Sequence, residues 1–413
     1  MIRTCLIALT ALCLVAACQS TPHQPAPGAP PPSVTQPPPA TAPGLIHPPP
    51  ATTPATYNDL PGWRTAPLTP SLEAFRRTCD RLARRAWDAP LSQSAAWAGT
   101  AEDWAPVCAS LSGPLDDASA RRVFESLFVP IEIIDTEGRP RFTGYFEPTY
   151  AARRAPEPGF TEPVMALPAD FVANGASPLQ RLPNGTTRPY PPRAEITANA
   201  GSAIAWAHPA DVFFLQIQGS GRLTFPDGTT MRAGYAAHNG QPFRSVANWL
   251  IETGRITRGE GSMQGIRAWM DRSSPAEVRQ AMNTNPRFVF FQALPEGDAS
   301  LGPVGAHNVP LTALGSMAVD PAFHALGVPM FVETTAPGLG GQWSGLLIAQ
   351  DTGGAIKGPV RGDIYFGTGT DAGNRAGTMN APGRLWVLLP RTVAARMHRS
   401  RPVAALDMPD RKG

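Results

Sequence analysis

The chain has 413 residues, 42% of them hydrophobic and 16% charged, enough to bury a substantial core and to form two or three folding units. Its formal net charge is only +3 and its Lys and Arg residues are scattered, so nothing marks it as a partner of nucleic acid. The 48 prolines and 39 glycines are many for this length, and the prolines crowd toward the N-terminus, which points to a linker there.

Residues 1–17 read as an export signal: Arg3 is followed by an apolar run from about Leu6 to Ala17, too short to span a bilayer stably. The sequence Val15-Ala16-Ala17-Cys18 matches a bacterial lipobox, so Cys18 is expected to be acylated and to become the mature N-terminus. Ser20, where inner-membrane retention would place Asp, favours the outer membrane, with the protein facing the periplasm. Residues 19–58 contain no Lys, Arg, Asp or Glu but several triple-proline runs, so 18–59 is predicted to be a disordered, Pro-rich tether. With the signal removed and Cys18 lipidated, only Cys79 and Cys108 remain, and a disulfide and two buried thiols are both open.

Folded structure is expected to begin near Thr69 and Pro70, where Leu72, Phe75, Cys79 and Leu82 follow at helical spacing. Two further helices follow, one opened by a Thr100–Asp103 capping box and one capped by Asp116. Strand patterns then occupy 131–134 and 141–146. Beyond 148, the run VFFLQI at 212–217 reads as a strand and 222–232 as a hairpin about Pro226, Asp227 and Gly228. Helices are predicted over 245–253, 262–271 and 275–282, and a strand over 287–292. Short apolar β runs at 330–333, 346–350, 364–366 and 385–389 suit a β-barrel.

The stretch AQDTGGAIKGPVRGDIYFG at 349–367 is the most unusual part of the chain, with Asp351 and Asp363 each beside a strand and flanked by glycines. Such loops let a polymer approach the backbone closely, but carboxylates beside Gly-rich turns are more often turn formers, so spacing alone identifies no mechanism. The histidines at 23, 47, 208, 238, 307, 324 and 398 show no metal-ligand spacing, and there is no phosphate loop or nucleophile elbow, so neither metal nor cofactor is expected.

The segments QDTGGAIKG (350–358), RGDIY (361–365) and DAG (371–373) resemble the three-aspartate domain of the membrane-bound lytic murein transglycosylase A family. TGYFEP (143–148), FLQIQGSG (214–221) and GYAAHNGQPFRS (234–245) are similar to the same family. The resemblance implies a mainly β chain with flanking helices: a discontinuous double-psi β-barrel domain from 60–147 and 298–400, and an inserted β-rich domain from 148–297, with the glycan in a groove between them. It implies Asp363 as the catalytic residue and Asp351 as its supporting group, with Asp371 completing the trio either directly or as a turn residue.

One carboxyl can then protonate the departing glycosidic oxygen and afterwards take the proton of the muramyl 6-hydroxyl, leaving a 1,6-anhydro product. Thr143, Tyr145, Gln218, Ser220, Tyr235 and Asn239 carry groups suited to sugar hydroxyls and acetamides, with a hydrogen-bonded structural role as the alternative for each. Lys357 is read as a contact to the peptide stem or to Asp363, a solvated surface lysine being the commoner fate. The expected partners are peptidoglycan glycan strands and a membrane reached through the lipid anchor, with cell-wall synthesis or division complexes left open. Three readings follow: a lytic transglycosylase, a hydrolytic muramidase, and a non-catalytic wall-binding lipoprotein.

Overall fold

The computed structural model describes residues 50–399 apart from 112, 114, 115, 137 and 197–201. The export signal, Cys18 and the tether up to residue 49 therefore lie outside the described residues. No helix among those described is long and apolar enough to cross a membrane.

Three helices open the folded part. Thr69–Leu82 has Pro70 in its first turn and buries Leu72, Ala74 and Phe75. Ala101–Ser110 starts from the expected Thr100–Asp103 capping box. Asp117–Leu127 is capped by Asp116, which accepts the Ser119 N–H at 2.7 Å. Cys79 and Cys108 form a disulfide that ties the first helix to the second. The first helix lies on the strand Gly341–Thr352: Ser71 Oγ donates to Leu346 O, and Gln350 Nε2 donates to Ala74 O at 2.7 Å and Thr78 Oγ1 at 3.0 Å. The strand that ends in Asp351 is thus fixed from behind by a buried amide.

Nine strands form the principal sheet. Pro329–Ala336 pairs antiparallel with Gly341–Thr352, which runs parallel to Ser316–Val319. Ser316–Val319 is antiparallel to Arg361–Thr368, and Arg361–Thr368 is parallel to Arg141–Glu147. Arg141–Glu147 pairs with Asn380–Ala381, and the chain continues through Pro382 into Gly383–Pro390, which pairs with Pro329–Ala336. Asn380–Ala381 and Gly383–Pro390 are thus successive stretches of one bent segment that reaches both Arg141–Glu147 and Pro329–Ala336. Thr334 Oγ1 donates to Pro382 O at 2.8 Å and holds the bend.

Phe128–Ile134 extends this sheet from Gly383–Pro390, and Ala51–Pro54 adds an edge strand beyond it. The tether expected to reach residue 59 is accordingly too long as predicted. Ala51–Pro54 pairs with the apolar strand Phe128–Ile134, and Tyr57–Asp59 forms a turn of 3-10 helix. Pro54 is tolerated there because an edge strand leaves one row of N–H groups unpaired.

Between Arg141–Glu147 and Ser316–Val319 the chain builds a second, six-stranded sheet ordered Val289–Leu294, Thr230–His238, Gly221–Thr224, Thr149–Arg153, Ala203–Ala207 and Glu162–Met165. The hairpin about Asp227 and the helices Val246–Glu252, Met263–Arg272 and Pro275–Asn283 form as expected. Residues 212–217 do not form a strand; they lie within the helix Pro209–Gln218. Val212 to Gln216 are all buried, so neither periodicity is visible in the run. The boundary signals decide instead: Pro209 in the first turn and Gly219 at φ 82° as the left-handed stop. Two other helices, Gly369–Ala376 and Arg391–Arg399, were not anticipated.

Candidate active site

Asp363 lies on Arg361–Thr368 with Thr143 as its register partner on the adjoining parallel strand, and Tyr365 is likewise opposite Tyr145. Alternation places all four side chains on one face. Across the sheet, Ala318 is in register with both Asp363 and Asp351, so the two aspartates flank one small residue. Two strand spacings put their backbones about 10 Å apart, with only a methyl group rising between them.

The Asp363 carboxyl is packed among protein groups on most sides while the residue keeps some surface. Burial pushes its pKa up to about 6, assisted by the neighbouring Asp351 charge and opposed by the Thr143 hydroxyl and by Arg361 and Arg141. Thr143 Oγ1 donates to Asp363 Oδ1 at 2.5 Å and accepts from Arg361 Nη2 at 2.8 Å. The arginine thus reaches the acid through the hydroxyl. The carboxyl is then partly protonated near neutral pH and can also accept a proton, which a donor and later acceptor must do.

Asp351 is held differently. Its Oδ1 accepts the N–H groups of Ala306 and Thr352, each at 2.9 Å, and its Oδ2 accepts the Tyr145 hydroxyl at 3.0 Å. Burial raises its pKa while these three donors lower it. Both oxygens are therefore committed to the protein, as suits a supporting group better than a base that activates water. Tyr145 leans on Tyr365 with ring centroids 5.2 Å apart, and burial together with both aspartates holds its phenol well above the usual range, so it remains a neutral donor.

The remaining expected contacts divide. Gln218 closes the C-terminal end of its helix, and its Oε1 accepts the Phe146 N–H at 3.4 Å, beside the Tyr145 strand. Ser220 is buried next to it, and Tyr235 is exposed on the strand Thr230–His238. Asn239 is not placed to meet substrate: it is only 1% exposed, donates to Pro191 O and Pro286 O at 2.9 Å, and accepts the Phe288 N–H at 2.9 Å. That side chain pins two loops of the inserted region, the structural alternative. Lys357 does not reach Asp363; it is exposed and pairs at 3.6 Å with Asp320, which also accepts the Gly358 N–H at 2.9 Å. Asp371 lies exposed in the first turn of Gly369–Ala376 rather than in a turn of its own.

Sequence reasoning passed over Glu147. It is fully buried where the chain leaves the principal sheet, and it accepts from Arg232 Nε at 2.6 Å, Arg222 Nε at 3.0 Å and Thr368 Oγ1 at 2.9 Å. Arg222 and Arg232 also donate to Leu301 O on the returning segment, at 3.1 and 2.9 Å. The hub thus clasps both crossings between the two sheets. The available signal was Glu147 itself, an acidic residue closing an apolar strand beside Pro148. A cavity of about 130 Å³ bounded by Asp170, Tyr190 and Glu195 shares no residue with the aspartate site.

Residues 141–292 match the family model of the MltA specific insert domain, and residues 315–389 match that of the 3D domain. The chain is 37% identical over 269 residues to a membrane-bound lytic murein transglycosylase A of Escherichia coli strain K12, covering 62% of this chain and 68% of that protein. It is similar to the crystal structure of a membrane-bound lytic murein transglycosylase from Agrobacterium tumefaciens, with TM-score 0.73 and 29% identity over 84% of this chain and 99% of that one. It is also similar to the Escherichia coli MltA structure with bound chitohexaose, with TM-score 0.60 and 28% identity over 83% of this chain and 94% of that one.

Proposed function

The chain belongs to the membrane-bound lytic murein transglycosylase A family, and from that premise we propose that it cleaves peptidoglycan glycan strands as a lytic transglycosylase with Asp363 as acid and then base. The observation that carries the role of Asp363 is a carboxyl with a pKa of about 6, held by a hydroxyl and beside a second carboxylate that is fully engaged by the protein.

Protonated Asp363 gives its proton to the oxygen bridging a muramyl and a glucosaminyl ring, and the muramyl C1–O bond breaks as positive charge develops at C1. Asp351 lends negative potential to that centre without leaving its three donors. The ionised Asp363 then takes the proton of the muramyl 6-hydroxyl as that oxygen bonds to C1. The product is a 1,6-anhydro ring and the acid is restored, with no water consumed.

Thr143 and Tyr145 fix the two aspartates, while Gln218, Ser220 and Tyr235 are proposed to face the sugars. The membrane association that the relatives' name describes is proposed to arise here from acylated Cys18 in the outer membrane. The units 60–147 with 298–400, and 148–297, are proposed as the two walls of the groove.

Mass spectrometry of digested peptidoglycan tests the chemistry. Fragments ending in anhydromuramyl groups, lighter by one water than reducing ends, are expected, and Asp363→Asn should release on the order of a thousandfold less. Reducing ends alone would establish hydrolysis instead. An Asp363→Asn protein of undiminished activity would remove the assignment of that residue.

A further inference from the structure

Arg287, two residues before the strand Val289–Leu294, reaches from the inserted region to the Gly-rich loop that follows Asp351. A Cβ on Gly354 would lie 3.6 Å from its Nη2 and 3.7 Å from its Nη1 and Cζ, so the guanidinium lies flat against that glycine. A Cβ there would make ordinary contact with the guanidinium, so the two segments touch at this point.

The half-buried cation has no carboxylate partner among the described residues, and its Nη1 donates to Gln241 O at 3.3 Å. Arg222 and Arg232, also at the boundary of the two sheets, both meet Glu147. A guanidinium partly withdrawn from water without an opposite charge is costly, and such a group is retained where a ligand completes it.

Beside it stands a second donor. His238 Nδ1 accepts the Gly240 N–H at 2.9 Å, which leaves the ring hydrogen on Nε2. Burial and the adjacent Arg287 charge keep this ring neutral, its pKa lowered to about 4, so it offers a hydrogen-bond donor rather than a competing cation. Tyr235 is the other titratable group facing this pair, its ring centroid 6.5 Å from that of His238.

The glycan chemistry then limits what can fill the place. N-acetylated sugar rings are neutral, and the negative charge of peptidoglycan lies on the lactyl arm of a stripped strand or on the peptide attached to that arm. We propose that Arg287 and the His238 Nε2–H bind a carboxylate carried by the muramyl side arm, making Arg287 a specificity determinant for muramyl-bearing over chitin-like strands. The proposal rests on the glycan-cleaving reading and adds to it a subsite for charge.

Calorimetric titration of the full-length protein carrying Asp363→Asn, with and without Arg287→Gln, tests it on three probes: neutral chitohexaose, stem-free glycan strands ending in lactyl carboxylates, and stem-bearing strands. Arg287→Gln is expected to weaken one or both carboxylate-bearing probes about tenfold or more, and less so at high salt, while chitohexaose changes by less than about twofold. An effect on stripped strands assigns the lactyl carboxylate, and one confined to stem-bearing strands assigns the peptide. Equal weakening of chitohexaose, or no weakening of either charged probe, overturns the proposal. Arg287→Lys should keep part of the preference, which guards against a folding defect, and thermal unfolding of both variants should match the parent. Failure of every probe to bind the parent would instead defeat the glycan reading itself.

Discussion

In the proposed reaction Asp363 holds a proton and then recovers one, and its neighbours divide along that line. Burial and Asp351 favour the acid, while Thr143, Arg361 and Arg141 favour the carboxylate. Since the donor form is the one needed first, kcat/KM is expected to fall as pH rises through about 6. Thr143→Val removes the hydroxyl that stabilises the ionised form, so the folded pKa rises and the falling limb moves to higher pH. A lost hydrogen bond of about 1 kcal/mol corresponds to a midpoint higher by about 0.7 on the pH scale. A pH–rate profile whose limb stays in place, or moves down, would show that Thr143 does not act on the acid.

Asp363, Asp351, Thr143 and Tyr145 were legible through motifs that resemble a family, since carboxylates beside Gly-rich turns identify no mechanism alone and the burial of these strands does not alternate. Asn239 was misread because an amide's usefulness to sugars and to backbone carbonyls is the same chemistry, and only its burial separates them. Ala318 carries no chemistry in the sequence; its importance comes from the register that sets it between two carboxylates.

Elements with clear ends were the legible ones. Thr100, Asp116, Ser245, Ser262 and Ser274 each stand at the start of a helix, and each accepts the expected backbone N–H or closes a capping box within hydrogen-bond distance. Where burial surrounds an element, as along Pro209–Gln218, composition points to a strand and only Pro209 and Gly219 point to a helix. The pairing of Cys79 with Cys108 was open because spacing in the chain says nothing of Cα separation, here 5.4 Å. The bond closes a loop between residues 29 apart and fastens the helix that backs the Asp351 strand. Loop closure of that length contributes about 3–4 kcal/mol on the chain-entropy account. Urea titration with and without reductant should show that loss in the midpoint while far-ultraviolet dichroism of the reduced protein stays unchanged, since Phe75, Trp104 and Phe124 still pack. Coincident curves would mean that the helices need no covalent tie.

Across the whole molecule, the two sheets depend on Glu147 more than on any residue of the acid site. The chain crosses between them once just after Glu147 and again near Leu301, and the hydrogen bonds of Arg222 and Arg232 join both crossings to one carboxylate. Thr368 carries the connection onward: it donates to Glu147 and lies 3.3 Å from the Tyr365 hydroxyl, whose ring leans on Tyr145. Glu147→Gln keeps the size of the side chain but removes the charge between two buried guanidinium groups. Glu296 still faces Arg222, whereas Arg232 loses the carboxylate with which it is paired. Breaking a buried pair in this way costs about 3–5 kcal/mol, chiefly because the cation left behind cannot be rehydrated. Thermal unfolding should therefore fall by many degrees, far more than for Glu296→Gln, whose side chain is partly in water. At temperatures where the variant is folded, KM should rise more than kcat falls, because Asp363 and Thr143 belong to strands of the principal sheet and keep their contact while the second sheet, the proposed opposite wall, loosens. A variant with parental stability, or one that lost kcat with KM unchanged, would show that the hub neither fixes the two sheets nor acts through substrate binding.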